Sequence, residues 1–470
     1  AGPSLRVSRQ SLRRGRVLRA MPKRKEPDAK TCIDSLVVRD IRFPTSDLLD
    51  GSDAIHTDPD YSCAYVILKT SVAGLEGHGL TFSLGRGNEV IAACCHAYAP
   101  FVVGRFLEDI AGDMMGLYHA LVNEQQLRWL GPEKGVSHMA CGAILNAVWD
   151  LLAKQAGKPL WKYIVDLTPE QLVECIDFKY ISDVLTKAEA LEMLQAKRPG
   201  VPAREQEMRR DGFPAYTTSA GWLGYSDEKI RALCQEYMAQ GLNHFKMKVG
   251  ANLEDDVRRA RVMREAIGPD RKLMMDANQR WEVSEAIENM KKLAFANPWW
   301  IEEPTCPDDI LGHAAIARAI SPIGVATGEV AQNKVIFKQL LQAKAIKFCQ
   351  IDSCRVAGPS EILAILLMAA KMGVAVCPHA GGVGLNEYVR HLAMIDYILI
   401  SGTLEDRVCE STSHLHEHFY DPVDVSGGTY KVATRAGYAE MKRESMDEFE
   451  FPTGSLWVKR LASGGEKAKP

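Results

Sequence analysis

Ionisable residues close a series of short apolar runs between positions 244 and 410, and the even spacing of those runs restricts the fold more than any other feature of the chain. The runs are HFKMKV from 244, KLMMDA from 272, WWIEEP from 299, GVATGE from 324, FCQIDSC from 348, AVCPHA from 375 and a last one ending in VCE at 408–410. They set Lys248, Asp276, Glu302, Glu329, Asp352, His379 and Glu410 at successive intervals of 28, 26, 27, 23, 27 and 31 residues. A strand, a helix and two short connections take about 25–30 residues. With PAYTTS from 214 the series has eight members separated by charged, helix-forming stretches, which predicts an α/β chain with eight parallel strands closed into a barrel. Residues at the C-terminal ends of such strands surround one mouth, where barrel active sites are built.

Before the barrel, apolar residues alternate over 32–69 on either side of a Gly/Asp-rich interruption at 46–60, which predicts strands flanking a mobile loop. Apolar residues then recur at helical spacing over 88–161 and stop at Gly157 and Pro159, so residues 31–175 read as a small α+β domain. The barrel is expected over 176–410, with a charged insertion at 185–213 forming a helical pair or loop, and 411–470 follow as a C-terminal segment.

Composition removes several functional classes. At 470 residues, 46% hydrophobic and 25% charged, the chain has the balance of a globular protein and excludes a disordered or collagen-like one. The longest apolar run, Ile362 to Ala370, is far short of the roughly 18 residues of a membrane span, so no membrane partner is expected. The twelve cysteines form no CxxC pair, which argues against a zinc framework. Ten Lys/Arg against Glu26 and Asp28 leave +8 in residues 1–30, whereas the other 440 residues, with 47 basic and 58 acidic side chains, carry −11. An acidic body argues against nucleic-acid binding. The head is acid-free to Lys25 with arginines at 6, 9, 13, 14, 16 and 19, the composition of a transit peptide, and we expect mitochondrial import, the alternatives being a disordered tail or sequence ahead of a start at Met21.

The chemistry is carried by the strand ends. One carboxylate at such a place would be read as a helix N-cap. Asp276, Glu302 and Glu329 on three consecutive strands would repel one another unless a hard divalent cation, by preference Mg²⁺, neutralised them. Lys246 and Lys248 alternate along one strand, so both enter the mouth. Mutual repulsion predicts that one is lowered enough to act as a neutral general base, the alternative being that both are ion-pair partners of the carboxylates. Asp352 beside His379 predicts an oriented imidazole, a second acid/base across the ring. Glu410 either donates to an oxyanion when protonated or holds a hydroxyl when ionised. His414, His416 and His418 have alternate spacing that suits a metal face only weakly, because they lie on a segment leaving the barrel. The GGVG run at 381–384 lacks the wider pattern of a nucleotide loop.

The ordered set KMK at 246, DAN at 276, WIEEP at 300, TGE at 327, QID at 350 and CPHAGG at 377 resembles the enolase superfamily in its mandelate-racemase-like branch. FPTS, HTDPDY, TLEDRVCE and HLHEHF are similar to the L-fuconate dehydratases of that superfamily, and the resemblance spans about residues 31–455. It implies a modified TIM barrel, (β/α)7β, under an α+β capping domain formed by the N-terminal and C-terminal segments. It also implies Asp276, Glu302 and Glu329 as Mg²⁺ ligands, Lys248 as the base that removes the α-proton, and Lys246 on the substrate carboxylate. His379, supported by Asp352, would then protonate the leaving 3-hydroxyl. Glu410 and the cap residues Gly51, Ser52, Asp53 and Tyr61 would bind a small-molecule sugar acid, with L-fuconate the expected substrate and a homo-oligomer the expected state. The chain departs from the pattern at Val330, where a Gln is expected, and at Ser411–Ser413, in place of a more aromatic and acidic run; both flank the mouth and bear on substrate preference. The competing readings are a racemase or epimerase, a dehydratase of another sugar acid, and a binding or regulatory paralogue without turnover.

Overall fold

In the computed structural model, which describes residues 30–463, the N-terminal alternation becomes a three-stranded antiparallel meander: β1 (Ile33–Arg42), β2 (Ser62–Thr70) and β3 (Glu76–Ser83). Helix Gly135–Gln155 lies directly on β3. A Cβ at Gly77 or Gly79 would come within 2.4 or 2.2 Å of the carbonyl oxygens of Ala147 and Ala143, so only glycine permits this approach. The same glycines interrupt the apolar alternation, which is why the pattern reveals β1 and β2 but not β3. The helix is long and apolar enough to cross a membrane, yet 94% of its apolar window is buried inside the fold. The basic head lies outside the described residues but for Lys30.

The stretch 438–457 returns to this segment. The Met441 N–H donates to Tyr65 Oη, the Tyr438 N–H to Asp150 and Trp457 Nε1 to the Arg42 carbonyl. The described residues from Thr31 onward pack as one compact unit, in which His138 on the long helix pairs with Glu361 at 2.7 Å.

Eight parallel strands follow in the predicted places: β4 (Phe213–Thr217), β5 (His244–Lys248), β6 (Lys272–Asp276), β7 (Pro298–Glu302), β8 (Gly324–Thr327), β9 (Phe348–Cys349), β10 (Ala375–Val376) and β11 (Cys409–Ser411). β4 to β10 are neighbours in sequence order, β11 lies parallel to β4, and the Glu410 N–H reaches the Pro378 carbonyl at 3.4 Å to close the ring. A helix joins each strand to the next, giving a (β/α)7β barrel. Stretch 185–213 forms two helices, Lys187–Lys197 and Val201–Asp211, the first opened by a Thr186–Glu189 capping box.

Two features differ from the sequence reading. β9 and β10 have two residues each, so Asp352 and His379 sit three residues past the ladder, joined by an isolated parallel bridge, and Glu329 sits two past β8. A hairpin of β12 (Val425–Ser426) and β13 (Thr429–Tyr430) also adds antiparallel to β4, its arms too short to produce an alternation signal. Tyr216, Met274, Trp300, Ala326, Phe348, Cys377 and Val408 fill the barrel interior, which leaves the mouth as the place for a ligand.

Candidate active site

Strand register builds the floor of the site. Lys248 pairs with Asp276 and Asp276 with Glu302 across β5, β6 and β7, so their side chains stand in a row, with Lys246 one pleat below. Glu329 joins them from a turn that requires glycine: Gly328 has φ +150° and a Cβ there would lie 2.4 Å from the Gln350 carbonyl. One carboxylate oxygen from each of Asp276, Glu302 and Glu329 lies within 4.8 Å of the others. Asp276 and Glu302 are fully buried, and Glu329 Oε2 has no hydrogen-bond partner. Burial and the carboxylates of Asp276, Glu410 and Glu329 push Glu302 up to about 8 despite the Lys246 ammonium. An anionic, oxygen-only donor set with an unpartnered buried oxygen fits a hard divalent cation such as Mg²⁺.

The two lysines correct the sequence reading. Lys246 Nζ lies 2.7 Å from Glu302, 2.8 Å from Glu410 and 3.4 Å from Asp276, and Lys248 Nζ lies 2.6 Å from Asp276. Burial pulls both ammoniums down, but Glu302 and Glu410 around Lys246, and Asp276 beside Lys248, hold both above the ordinary lysine value. The ion-pair alternative therefore describes these contacts: the Lys246 charge does pull Lys248 down, as repulsion between the two predicts, but the carboxylates outweigh it.

Across the mouth, His379 Nδ1 donates to Asp352 Oδ2 at 2.8 Å, which leaves Nε2 toward Glu329 at 3.6 Å and Glu410 at 3.8 Å. Burial would lower this imidazole, but the Glu329 carboxylate, the bond to Asp352 and the Glu410 carboxylate outweigh it and push it up to about 10. The Gly381 N–H donates to Nε2 at 3.2 Å, so that nitrogen stands between one amide donor and two carboxylates. Glu410 is ionised, held down to about 2 by Lys246 and His379 against the effect of burial, and accepts from the Ala380 N–H at 2.9 Å. Of the two roles considered from sequence, these contacts favour the ionised one.

A cavity of about 360 Å³ opens above this floor, roofed by Gly51, Asp53, His56 and Tyr61. Gly51, at φ +82°, has no room for a Cβ, which would lie on the Tyr61 ring. Of the four expected roof residues, Ser52 is not in the cavity wall: its Oγ donates to the Thr57 carbonyl inside its own loop. The stretch expected as a mobile loop contains a 3₁₀ turn at Thr45–Leu48 and ties itself together through Ser46 Oγ to Asp60 at 2.7 Å. His416 bonds to Glu387 and the Thr412 carbonyl, and His418 to Ser445. His414 lies against the rings of Tyr61 and Trp222, so the three imidazoles do not converge on a metal. Val330 lines the cavity, whereas Ser411 extends β11 beside Thr217.

The cavity also contains residues that the sequence reading missed: Thr218, Trp222, Asn278, Arg355 and His56. Asn278 lies in the DAN run, Arg355 three residues past Asp352, His56 in HTDPDY and Thr218 near the end of the PAYTTS run, so motif and strand-end proximity could have found them. Buried oxygens of Thr218 and Asn278 lack partners, as expected of groups that await ligand hydroxyls.

Comparison with known proteins agrees with this geometry. Residues 54–164 match the mandelate racemase / muconate lactonizing enzyme N-terminal domain, and 229–444 the enolase C-terminal domain-like family. The crystal structure of human mitochondrial enolase superfamily member 1 has a TM-score of 0.91 and 55% identity, covering 92% of this chain and 99% of that one. L-galactonate dehydratase from Hypocrea jecorina is 52% identical over 420 residues, 88% of this chain and 93% of its own length. L-talarate/galactarate dehydratase from Salmonella typhimurium LT2, solved with Mg and L-lyxarohydroxamate, has a TM-score of 0.69 and 25% identity, covering 91% of this chain and 95% of that one.

Proposed function

Because the chain belongs to the enolase superfamily, whose members use Mg²⁺, and carries both the N-terminal and C-terminal domains of its mandelate racemase and muconate lactonizing branch, we propose that it is a sugar-acid dehydratase with L-fuconate as substrate. The observation that carries this reading is the opposition of Lys248 and the Asp352–His379 pair across a cluster of three carboxylates.

Asp276, Glu302 and Glu329 would hold the cation. When bound, Mg²⁺ supplies the positive charge that neutralises this cluster and the substrate carboxylate and stabilises the charge that builds up on that carboxylate. Lys246, enclosed by Glu302 and Glu410 beneath the cavity, would contact the same carboxylate, as the resemblance implies. Lys248 takes the α-proton as its neutral amine, once its bond to Asp276 is relaxed by the neutralised cluster. From the other side, His379 Nε2–H donates a proton to the 3-hydroxyl, which leaves as water. The enol that remains tautomerises to a 2-keto-3-deoxy acid. Asp352 keeps the ring in the tautomer and orientation this donation needs. The roof excludes water above the reacting carbons.

The test is incubation with Mg²⁺ and six-carbon and five-carbon sugar acids, L-fuconate and L-galactonate among them, with product assayed as 2-keto-3-deoxy acid. Product from L-fuconate that disappears in Lys248→Ala supports the full reading. Product from another acid alone keeps the dehydratase and removes L-fuconate. Exchange of the α-proton with the 3-hydroxyl retained favours a racemase or epimerase, and binding without exchange a non-catalytic paralogue. Two further parts of the proposal rest on other features. The Arg-rich head supports mitochondrial import, tested by locating a fluorescent fusion with and without residues 1–30. Exposed Trp129 and Leu130 support a homo-oligomer, tested by light scattering.

A further inference from the structure

Resting on the sugar-acid reading above, we infer that His56 is the roof residue that selects the distal end of the substrate, and that Asp53 acts through His56 rather than on the substrate. Both oxygens of the Asp53 carboxylate are engaged inside the loop. Oδ1 accepts from the backbone N–H groups of Ile55 at 2.7 Å and His56 at 2.6 Å, and Oδ2 accepts from His56 Nδ1 at 2.9 Å. The Asp53 N–H in turn donates to the His56 carbonyl at 2.9 Å, closing residues 53–56 into a tight loop. A side chain so occupied has little left for a ligand hydroxyl. The imidazole it holds does: with Nδ1 fixed on Asp53, Nε2–H is free of any hydrogen bond among the described residues, and the ring lines the cavity with 41% of the side chain exposed against 7% for Asp53.

The imidazole also stands within the field of the chemical centre. Its bond to Asp53 and the charge of Glu329 raise its proton affinity, while burial and the Lys248 ammonium lower it. A sugar acid with its carboxylate at the three-carboxylate cluster and its 3-hydroxyl at His379 runs its remaining carbons away from the floor, toward the roof. The cavity thus holds two carboxylate–imidazole pairs of the same construction, Asp352–His379 below and Asp53–His56 above. The lower pair faces the reacting carbons. The upper one presents a donor, stiffened by its carboxylate, to the oxygen of a distal hydroxyl.

The experiment is the ratio of kcat/KM for a six-carbon and a four-carbon sugar acid, measured on the full chain with Mg²⁺ in the wild type, His56→Ala, Asp53→Asn, the double variant and His56→Gln. Calorimetric Kd values for the same two acids give the same ratio independently of turnover. The inference expects the six-to-four ratio to fall about 10–100-fold in His56→Ala, chiefly through KM. His56→Gln, which keeps an N–H donor, should recover part of it. Asp53→Asn should lower the ratio in the same direction and add nothing in the His56→Ala background. An equal loss on both acids in His56→Ala, or a further fall of the ratio when Asp53→Asn is added to it, would overturn the assignment. If the wild type turns over no acid but its Kd ratio still follows His56, the dehydratase reading fails and the selector stands.

Discussion

The floor and the roof of the cavity are built by different means. On the floor, Lys246, Lys248, Asp276 and Glu302 take their places from strand register, with Lys246 locked to Glu302 at 2.7 Å and Lys248 to Asp276 at 2.6 Å, above an aromatic plug. On the roof, the contacts nearest the cavity are local, Asp53 to His56, Ser52 to Thr57 and Ser46 to Asp60, with a tie from Arg460 of the C-terminal segment to Asp47 at 2.7 Å. A rigid floor fixes which bonds can break, and a loop held mainly within itself above it can change which molecule is accepted without disturbing that floor. The largest contrast should appear in exchange of the substrate α-proton with deuterated solvent. Lys248→Ala should slow it by about 10²–10⁴-fold, whereas Tyr61→Phe, at the roof, should cost less than about tenfold. A comparable loss in both would break the division.

Stability should divide in the same way. Trp300 is fully buried in the plug, packs against Phe348 and Trp299, and donates from Nε1 to Glu302 Oε2 at 3.1 Å. Trp300→Ala should cost about 3–5 kcal/mol in denaturant unfolding. On the roof, Ile55→Ala, half exposed already, should stay within about 0.5 kcal/mol. The cation adds a smaller increment to the floor. At a hundred times its Kd, Mg²⁺ should raise stability by about 2.7 kcal/mol, seen as a higher Tm. The roof variant Ser52→Ala should keep that gain and Glu302→Gln should lose most of it.

This difference in construction explains what could be read from the sequence. An eight-fold run of strands about 27 residues apart is periodic, so the barrel, the strand-end row and the Asp352–His379 pair are all legible before any coordinates. Three things were not. β3 hides because Gly77 and Gly79, which let the long helix lie on it, erase the alternation that announces a strand. The lysine proton affinities went the wrong way because KMK shows two neighbouring cations but not the carboxylates of Glu302, Glu410 and Asp276 that three other strands bring to them. Roof contacts escape because no period governs a loop: Ser52 and Asp53 are adjacent in sequence, yet one faces its own loop and the other braces His56.

The smallest effect concerns what supports the roof from behind. His414 packs on the ring of Tyr61, and two residues on His416 anchors the same segment, its Nδ1 2.8 Å from Glu387 and its Nε2 2.9 Å from the Thr412 carbonyl. Burial alone would lower His416; the Glu387 carboxylate and these hydrogen bonds outweigh it and push it up to about 9, against an ordinary value of 6.5. A histidine raised in the folded state stabilises fully below its unfolded value of 6.5, and that contribution drains away as pH climbs toward 9. Between pH 7 and 8 the loss is about 1 kcal/mol. Wild type and His416→Gln, compared by denaturant unfolding, should therefore differ most at pH 6 and converge by pH 9 to 10. A gap that stays constant with pH would mean that His416 holds the segment by packing and neutral hydrogen bonds alone, and that the anchor of the roof is as insensitive to charge as the plug beneath the floor.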